Sequence, residues 1–258
     1  MTAYEAGVML AGSTVAGVVN SLAGGGSLIT FPMLVWLGRE PILANATNTV
    51  SLSPGSVAAL YGFRRELTGM ETWIRRGTLP SLAGGVLGAM LLLRTPSEVF
   101  AWLVPYLIFF ATAVFALSGP LNRYTRRHAT VVGDGVPAHP RWGAVMSYQL
   151  GVSVYGGYFG AGIGIMMLAG LALSGLTAIH RAIALRNYYA ILINGIAALY
   201  FIAFGMVRWD DAIVLTIGQV VGSFFGARIA RRLPASAVRW VVVTIGAAMA
   251  TALLLRGA

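Results

Sequence analysis

The stretch AGVMLAGSTVAGVVNSLAGGGSLITFPMLVWLG, residues 6–38, runs for 33 residues without a charged side chain and carries the triplet Gly24-Gly25-Gly26 in its middle. A straight α-helix of that length would reach about 50 Å at 1.5 Å per residue, whereas the hydrocarbon core of a bilayer is about 30 Å thick. Glycine is also the residue that a helix interior tolerates least after proline. The stretch is thus too apolar for water and too long for one straight crossing. It predicts a membrane segment that is either a broken helix or a hairpin returning to the side it entered. Residues 142–179 repeat the anomaly, again uncharged and again glycine-rich in the middle, at Gly156, Gly157, Gly160, Gly162 and Gly164.

Between and beyond these two lie six more uncharged stretches, at 41–63, 77–93, 99–122, 187–207, 212–227 and 240–255. Most are close to the roughly 20 residues that a transmembrane helix needs. The whole chain of 258 residues is 57% hydrophobic and 10% charged, with a mean hydropathy of +0.78, a composition that a soluble domain could not cover with polar surface. All six tryptophans, Trp36, Trp73, Trp102, Trp142, Trp209 and Trp240, fall at or near stretch ends, where indole rings favour the head-group layer. The first residues hold Glu5 and no arginine, so no basic flank marks a cleavable leader and the N-terminus reads as retained.

The two halves also repeat in detail. Gly84, Gly88, Ala89, Arg94, Pro96 and Trp102 recur 138 positions later as Gly222, Gly226, Ala227, Arg232, Pro234 and Trp240. Asn48 and the run Ala58 to Tyr61 recur 139 positions later as Asn187 and Ala197 to Tyr200. Internal duplication in a polytopic membrane chain points to a transporter with its site between the copies.

Charge placement selects a topology. The net charge of +10 comes from eighteen arginines and no lysine, scattered mainly between apolar stretches, which is membrane topology and not a nucleic-acid face. If every stretch crosses once, the arginines divide ten against eight. If the first and fifth stretches return on the side they entered, fourteen share one side and only Arg39, Arg94, Arg208 and Arg256 oppose them, the bias expected of cytoplasmic loops. The second arrangement leaves three crossings per half, an odd number, so the halves are inverted and both termini face outward. The expected fold is all-α: a first repeat at 1–122, a basic cytoplasmic linker at 123–141 and a second repeat at 142–258, each with a Gly-broken or re-entrant first segment plus three transmembrane helices.

Candidate substrate contacts follow from where polar groups interrupt this pattern. Asn20 precedes Gly24, Gly25 and Gly26, and Thr47 and Asn48 sit in a polar run at 44–51. Gly160 and Gly162 mark the second interruption, and Arg186 and Asn187 occupy the positions matching Thr47 and Asn48. Unwound backbone at membrane depth is tolerated only inside protein or along a wet cavity, and helix N-termini there attract anions. Arg186 either snorkels to the head groups or meets an anionic substrate, since no Asp or Glu lies within any uncharged stretch to pair with it. Asn48 and Asn187 serve either helix packing or ligand contact. Gly84, Gly88, Gly222 and Gly226 read as packing residues at four-residue spacing.

Other chemistries are excluded or unsupported. With no cysteine there is no disulfide and no thiolate chemistry. His128, His139 and Asp134 have no metal-ligand spacing and read as loop residues, His180 reads as interfacial, and no nucleophile adjoins a base. No metal, cofactor or enzymatic activity is expected. The partners expected are a small anion and membrane lipid, with no nucleic acid, and the oligomeric state stays open between monomer and homo-oligomer.

The glycine-rich opening from Ala16-Gly17 through Gly24-Gly25-Gly26, followed by Pro32 and the 44–51 run, resembles the first repeat of the sulfite exporter TauE/SafE family. The segment from Gly156 through Asn187 to Trp240 is similar to that family's second repeat, so the resemblance covers nearly the whole chain. It implies a multi-pass permease in a prokaryotic plasma membrane for sulfite or organosulfonates, often exported. One departure stands out: Arg186, Tyr188 and Tyr189 occupy the second repeat where the first has Thr47, Thr49 or Val50, and Ser51. An anion channel and a non-transporting membrane scaffold are the competing readings of the same sequence.

Overall fold

The computed structural model describes residues 1–23, 25–62, 64–128, 135–137, 140–229 and 235–257, and they form an all-helical bundle with no strand among them. The first half gives α1 (Ala3–Ala23), α2 (Ser27–Trp36), α3 (Pro41–Gly62), α4 (Glu71–Arg94) and α5 (Ser97–His128), with a short 3-10 turn at Arg64–Leu67. The second half gives α6 (Trp142–Tyr158), α7 (Ile163–Leu173), α8 (Ile179–Ala203), α9 (Trp209–Ile229) and α10 (Ala235–Gly257), the same succession of one long helix, one half-length helix and three long ones. Among the described residues α4, α8 and residues 97–117 of α5 are long and apolar enough to cross a membrane. Leu79, Leu173 and Leu255 are among the most exposed side chains, a surface that suits lipid and not water.

Both anomalous stretches break at their glycines, and both fold back. In the first, Gly26 lies against Ala16 and Asn20 and Gly12 lies under Met33, so α2 runs antiparallel to α1. The loop after α2 ends beside the start of α1, where Arg39 Nη1 sits 3.2 Å from Glu5 Oε1. In the second, Gly156 faces Ile163, and Tyr148 Oη donates to the Met166 carbonyl at 2.8 Å, so α7 runs antiparallel to α6. Each stretch therefore leaves one end of the bundle and returns to the same end. The single-crossing alternative, with its ten-to-eight arginine split, does not describe this chain.

The two hairpins are exchanged between halves. α1 packs most extensively on α9, and α6 on α4, each pair running in the same direction. Small residues make this close approach workable: a methyl added at Gly222 would meet the backbone of Thr14, and one at Gly84 or Gly88 would meet the backbone of α6. The packing role expected of Gly84, Gly88 and Gly222 is thus what the fold uses, while the surroundings of Gly226 lie outside the described residues. Buried amides add to this packing, Gln149 Nε2 of α6 donating to Ser81 Oγ of α4 at 3.0 Å and Gln219 Nε2 of α9 donating to Ser51 Oγ of α3 at 3.1 Å.

Helix starts are set locally. α3 opens with Pro41 at its first position, and the Glu40 carboxylate accepts from Leu43 N at 2.9 Å. α9 opens with Asp210 and Asp211 in its first turn, where carboxylates favour the dipole. Asp211 is fully buried and meets Arg39 Nε at 2.8 Å and Arg208 Nε at 3.1 Å, so the return of the first hairpin is tied to the head of α9. Hydrogen bonding to Asp211 raises the pKa of Arg39, and the Thr2 backbone and Arg39 hold the Glu5 carboxyl below its usual range. One tryptophan departs from expectation. Trp73 is buried and stacks on Trp142 at 4.9 Å, because α4 and α6 close over it.

Candidate functional site

The two hairpin tips meet on one turn of α5. Gly25 packs under the Phe115 ring, and Gly162 packs on Ala111, where an added methyl would come within 3.6 Å of the alanine Cβ. Ala111 and Phe115 are each 1% exposed and four residues apart, hence successive neighbours on one helix face. The tips also touch each other, since Phe31 of α2 meets Phe159 edge-on at 5.1 Å. Two breaks more than 130 residues apart in sequence thereby become adjacent.

The second break is built around free backbone. α6 ends where Phe159 N and Gly160 N both donate to the Tyr155 carbonyl, at 2.8 and 3.3 Å. Gly160 and Gly162 have φ of +79° and +81°, a left-handed conformation open to glycine at no steric cost. The Tyr155 hydroxyl steadies the loop by donating to the Ala161 carbonyl at 2.9 Å. α7 then starts at Ile163.

Arg186, on α8, directs its guanidinium at this start. A methyl on Gly164 would lie 2.8 Å from Arg186 Nε and 3.0 Å from Nη2, so only glycine leaves room for the group. Nε is buried without a hydrogen-bond partner, and among the described residues no carboxylate pairs with Arg186. Of the two roles open to this residue in the sequence, reaching inward to the break is the one its placement has; the guanidinium does not run out along α8 toward the head groups. The first turn of α7 is the positive end of a helix dipole, equivalent to roughly half a charge. A cation packed on that end is a repulsive pair unless an anion joins it.

The other candidates divide. Asn20 is half-buried on α1 against Gly26, and Gly26 also meets the Ala16 carbonyl. Asn48 is buried, and its Oδ1 lies 2.5 Å from Thr30 Oγ1, which also lies 3.1 Å from the Gly26 carbonyl. Thr47 turns the other way, its hydroxyl accepting from Arg208 N at 3.1 Å ahead of α9. Asn187, 7% exposed, follows Arg186 on α8, and its side chain makes no hydrogen bond to another described residue. Gly24 lies outside the described residues. Thus Gly25, Gly26, Gly160, Gly162, Arg186 and, through Thr30, Asn48 gather at the tips, while Thr47 serves a helix start.

The sequence profile described as Sulfite exporter TauE/SafE matches residues 9–253. The chain belongs to that family. TauE/SafE relatives similar to it include "Probable membrane transporter protein YfcA" of Escherichia coli strain K12, 28% identical over 254 residues that make up 96% of this chain and 89% of that protein. "Probable membrane transporter protein ORF9" of a Sinorhizobium species is 27% identical over 244 residues, 93% of this chain and 88% of its own. A "Probable membrane transporter protein" of Haemophilus influenzae is 27% identical over 232 residues, 89% and 86% of the two chains. This TauE/SafE chain is accordingly a membrane-embedded protein of a transporter family.

Two residues of this TauE/SafE protein escaped the reading of the sequence. Asn45 is 1% exposed and reaches from α3 to the second break, donating Nδ2 to the Tyr158 carbonyl at 2.9 Å. Its signal was available, since it lies one helical turn before Asn48 in an uncharged stretch, but its partner is remote in sequence. Asp211 flanks the uncharged stretch at 212–227, and its partner Arg39 lies 172 residues away in sequence. Among the described residues a shallow groove of about 260 Å³ runs between α3 and α9 past Pro54 and Trp209 and a cavity of about 10 Å³ sits by Trp73 and Trp142; neither of these two is lined by the glycine breaks.

Proposed function

We propose that this protein is a secondary transporter that moves a small sulfur-containing anion, such as sulfite or an organosulfonate, across the plasma membrane of a prokaryote. The observation that carries the reading is Arg186, with an unpartnered Nε packed on Gly164 in the first turn of α7. A guanidinium, a helix N-terminus and no carboxylate form a set that an oxyanion completes. The name of the family lends sulfite as the first substrate to try. Gly25, Gly26, Gly160, Gly162 and, through Thr30, Asn48 lie at the same tips, with Asn20 beside the first, and Asn187 follows Arg186 on α8.

The inverted arrangement supports the transport mechanism. Two return hairpins leave α3, α4 and α5 as crossings in one half and α8, α9 and α10 in the other, so residues 1–122 and 142–258 oppose each other across the membrane and the linker at 123–141 is cytoplasmic. The parallel pairings of α1 with α9 and α6 with α4 fit that inversion, as does the arginine bias, which stays at thirteen against four once Arg186, inside the bundle at the second break, is set aside. Alternating access then means parting the tips from α5 toward one side at a time. A reporter fused after Leu255 should read periplasmic; a cytoplasmic reading sinks the inversion. In proteoliposomes, labelled sulfite or a sulfonate should flow in a saturable manner and stall in Arg186→Gln. Folded protein that passes no anion would end the proposal.

A further inference from the structure

The second break has another pole, at the C-terminal end of α6. Helix C-termini carry partial negative charge and carbonyls that no helical N–H can reach. Asn45 is aimed at this end, and its orientation is fixed, because the Tyr158 carbonyl can only accept and so must face the Nδ2 donor. Asn45 Oδ1, on the same buried amide, has no hydrogen-bond partner. A side-chain acceptor is thus stranded beside a helix end already rich in acceptors. Among the described residues no group of three or more His, Cys, Asp or Glu could hold a metal, so carboxylate-hungry divalent ions and thiolate- or imidazole-bound metals have nothing to bind here. Neutral carbonyl and amide oxygens at an interrupted membrane helix are the donors that suit a dehydrated alkali cation.

We propose that Asn45 Oδ1 and the terminal carbonyls of α6 form a sodium site, and that sodium is the ion coupled to anion movement. The loop 159–162 separates this pole from the start of α7, where Arg186 lies, so one break offers a cation place at one end and an anion place at the other. Each bound ion lowers the cost of the other, which gives coupling without an intramembrane carboxylate. The position matching Asn45 in the second half is Ala184, so the arrangement occurs once and one sodium accompanies each anion.

The coupling rests on the anion-transport reading, whereas the sodium site does not, and two measurements separate them. The full chain in detergent is melted in sodium, lithium, potassium or N-methylglucamine chloride at equal ionic strength, with no substrate anion present. Sodium should raise the Tm above N-methylglucamine, and the rise should grow with the logarithm of its concentration above the dissociation constant. Asn45→Ser should flatten that dependence. In proteoliposomes an inward sodium gradient should drive sulfite uptake, with sodium tightening sulfite affinity on the order of 5–150-fold. Equal melting in all four salts overturns the sodium site even where sulfite flux is intact. A Tm that responds to sodium with no flux under any gradient leaves the site standing and removes the coupling. If Asn45→Ser does not fold, the four-salt melt of the natural chain still decides.

Discussion

The two glycine breaks share a long-helix, turn, half-helix order and differ in backbone and contents: Gly26 is right-handed where Gly160 and Gly162 are left-handed. The first is filled: Gly25 lies under Phe115, and Asn48 is engaged by Thr30. The second is furnished with unspent polarity, an Arg186 Nε without an acceptor and an Asn45 Oδ1 without a donor, around two left-handed glycines. The unpartnered polar groups thus lie at one break and not at the other. Thr47 fastens a helix start where its counterpart Arg186 reaches into the break. A repeated fold therefore does not imply a repeated site.

That contrast can be broken by experiment. Phe115→Ala empties the fully buried packing of the first break, and such truncations cost about 3–5 kcal/mol. Thermal melting should show this loss while anion affinity changes little; a large affinity loss with intact stability would mean that the first break also binds. Arg186→Gln should do the reverse, weakening anion affinity about tenfold to a hundredfold as a charge-assisted contact of about 1.5–3 kcal/mol disappears. Its Tm without ligand should hold or rise, because an uncompensated buried charge is removed.

Gly162→Ala forces a methyl into the left-handed region, where the penalty is about 1–2 kcal/mol. Both Tm and anion affinity should fall, since α7's start and the Arg186 contact move together; a silent substitution would show that the loop geometry is incidental. The smallest effect belongs to Thr30→Val, which deletes one buried contact to Asn48, typically about 0.6 kcal/mol inside a membrane protein. Sulfite affinity measured by titration should stay within twofold of the natural chain, about 0.4 kcal/mol. A tenfold drop would show that the Thr30 contact to Asn48 shapes the anion site directly.

Much of the scaffold was legible because it rests on length and charge, which a sequence states directly. Thirty-three uncharged residues cannot be one straight crossing, so the break at Gly24–Gly26 followed from arithmetic, and the arginine tally chose hairpins over single passes. Contacts that depend on the exchange of hairpins between halves were not legible. Asn45 meets Tyr158 across 113 residues, and Arg39 meets Asp211 across 172. No local period encodes such partners, so neither the reach of Asn45 to Tyr158 nor the bond of Thr47 to Arg208 N is readable from the sequence. Trp73 was misplaced for a related reason: a segment end in sequence is an exposed position only if no neighbouring helix covers it, and α6 does.

The shared seat of both tips on Ala111 and Phe115 makes α5 a common fulcrum. In the proposed transport cycle, a tilt of that helix would load both hairpins at once, with the bulk of a phenylalanine under one arm and the smallness of an alanine under the other.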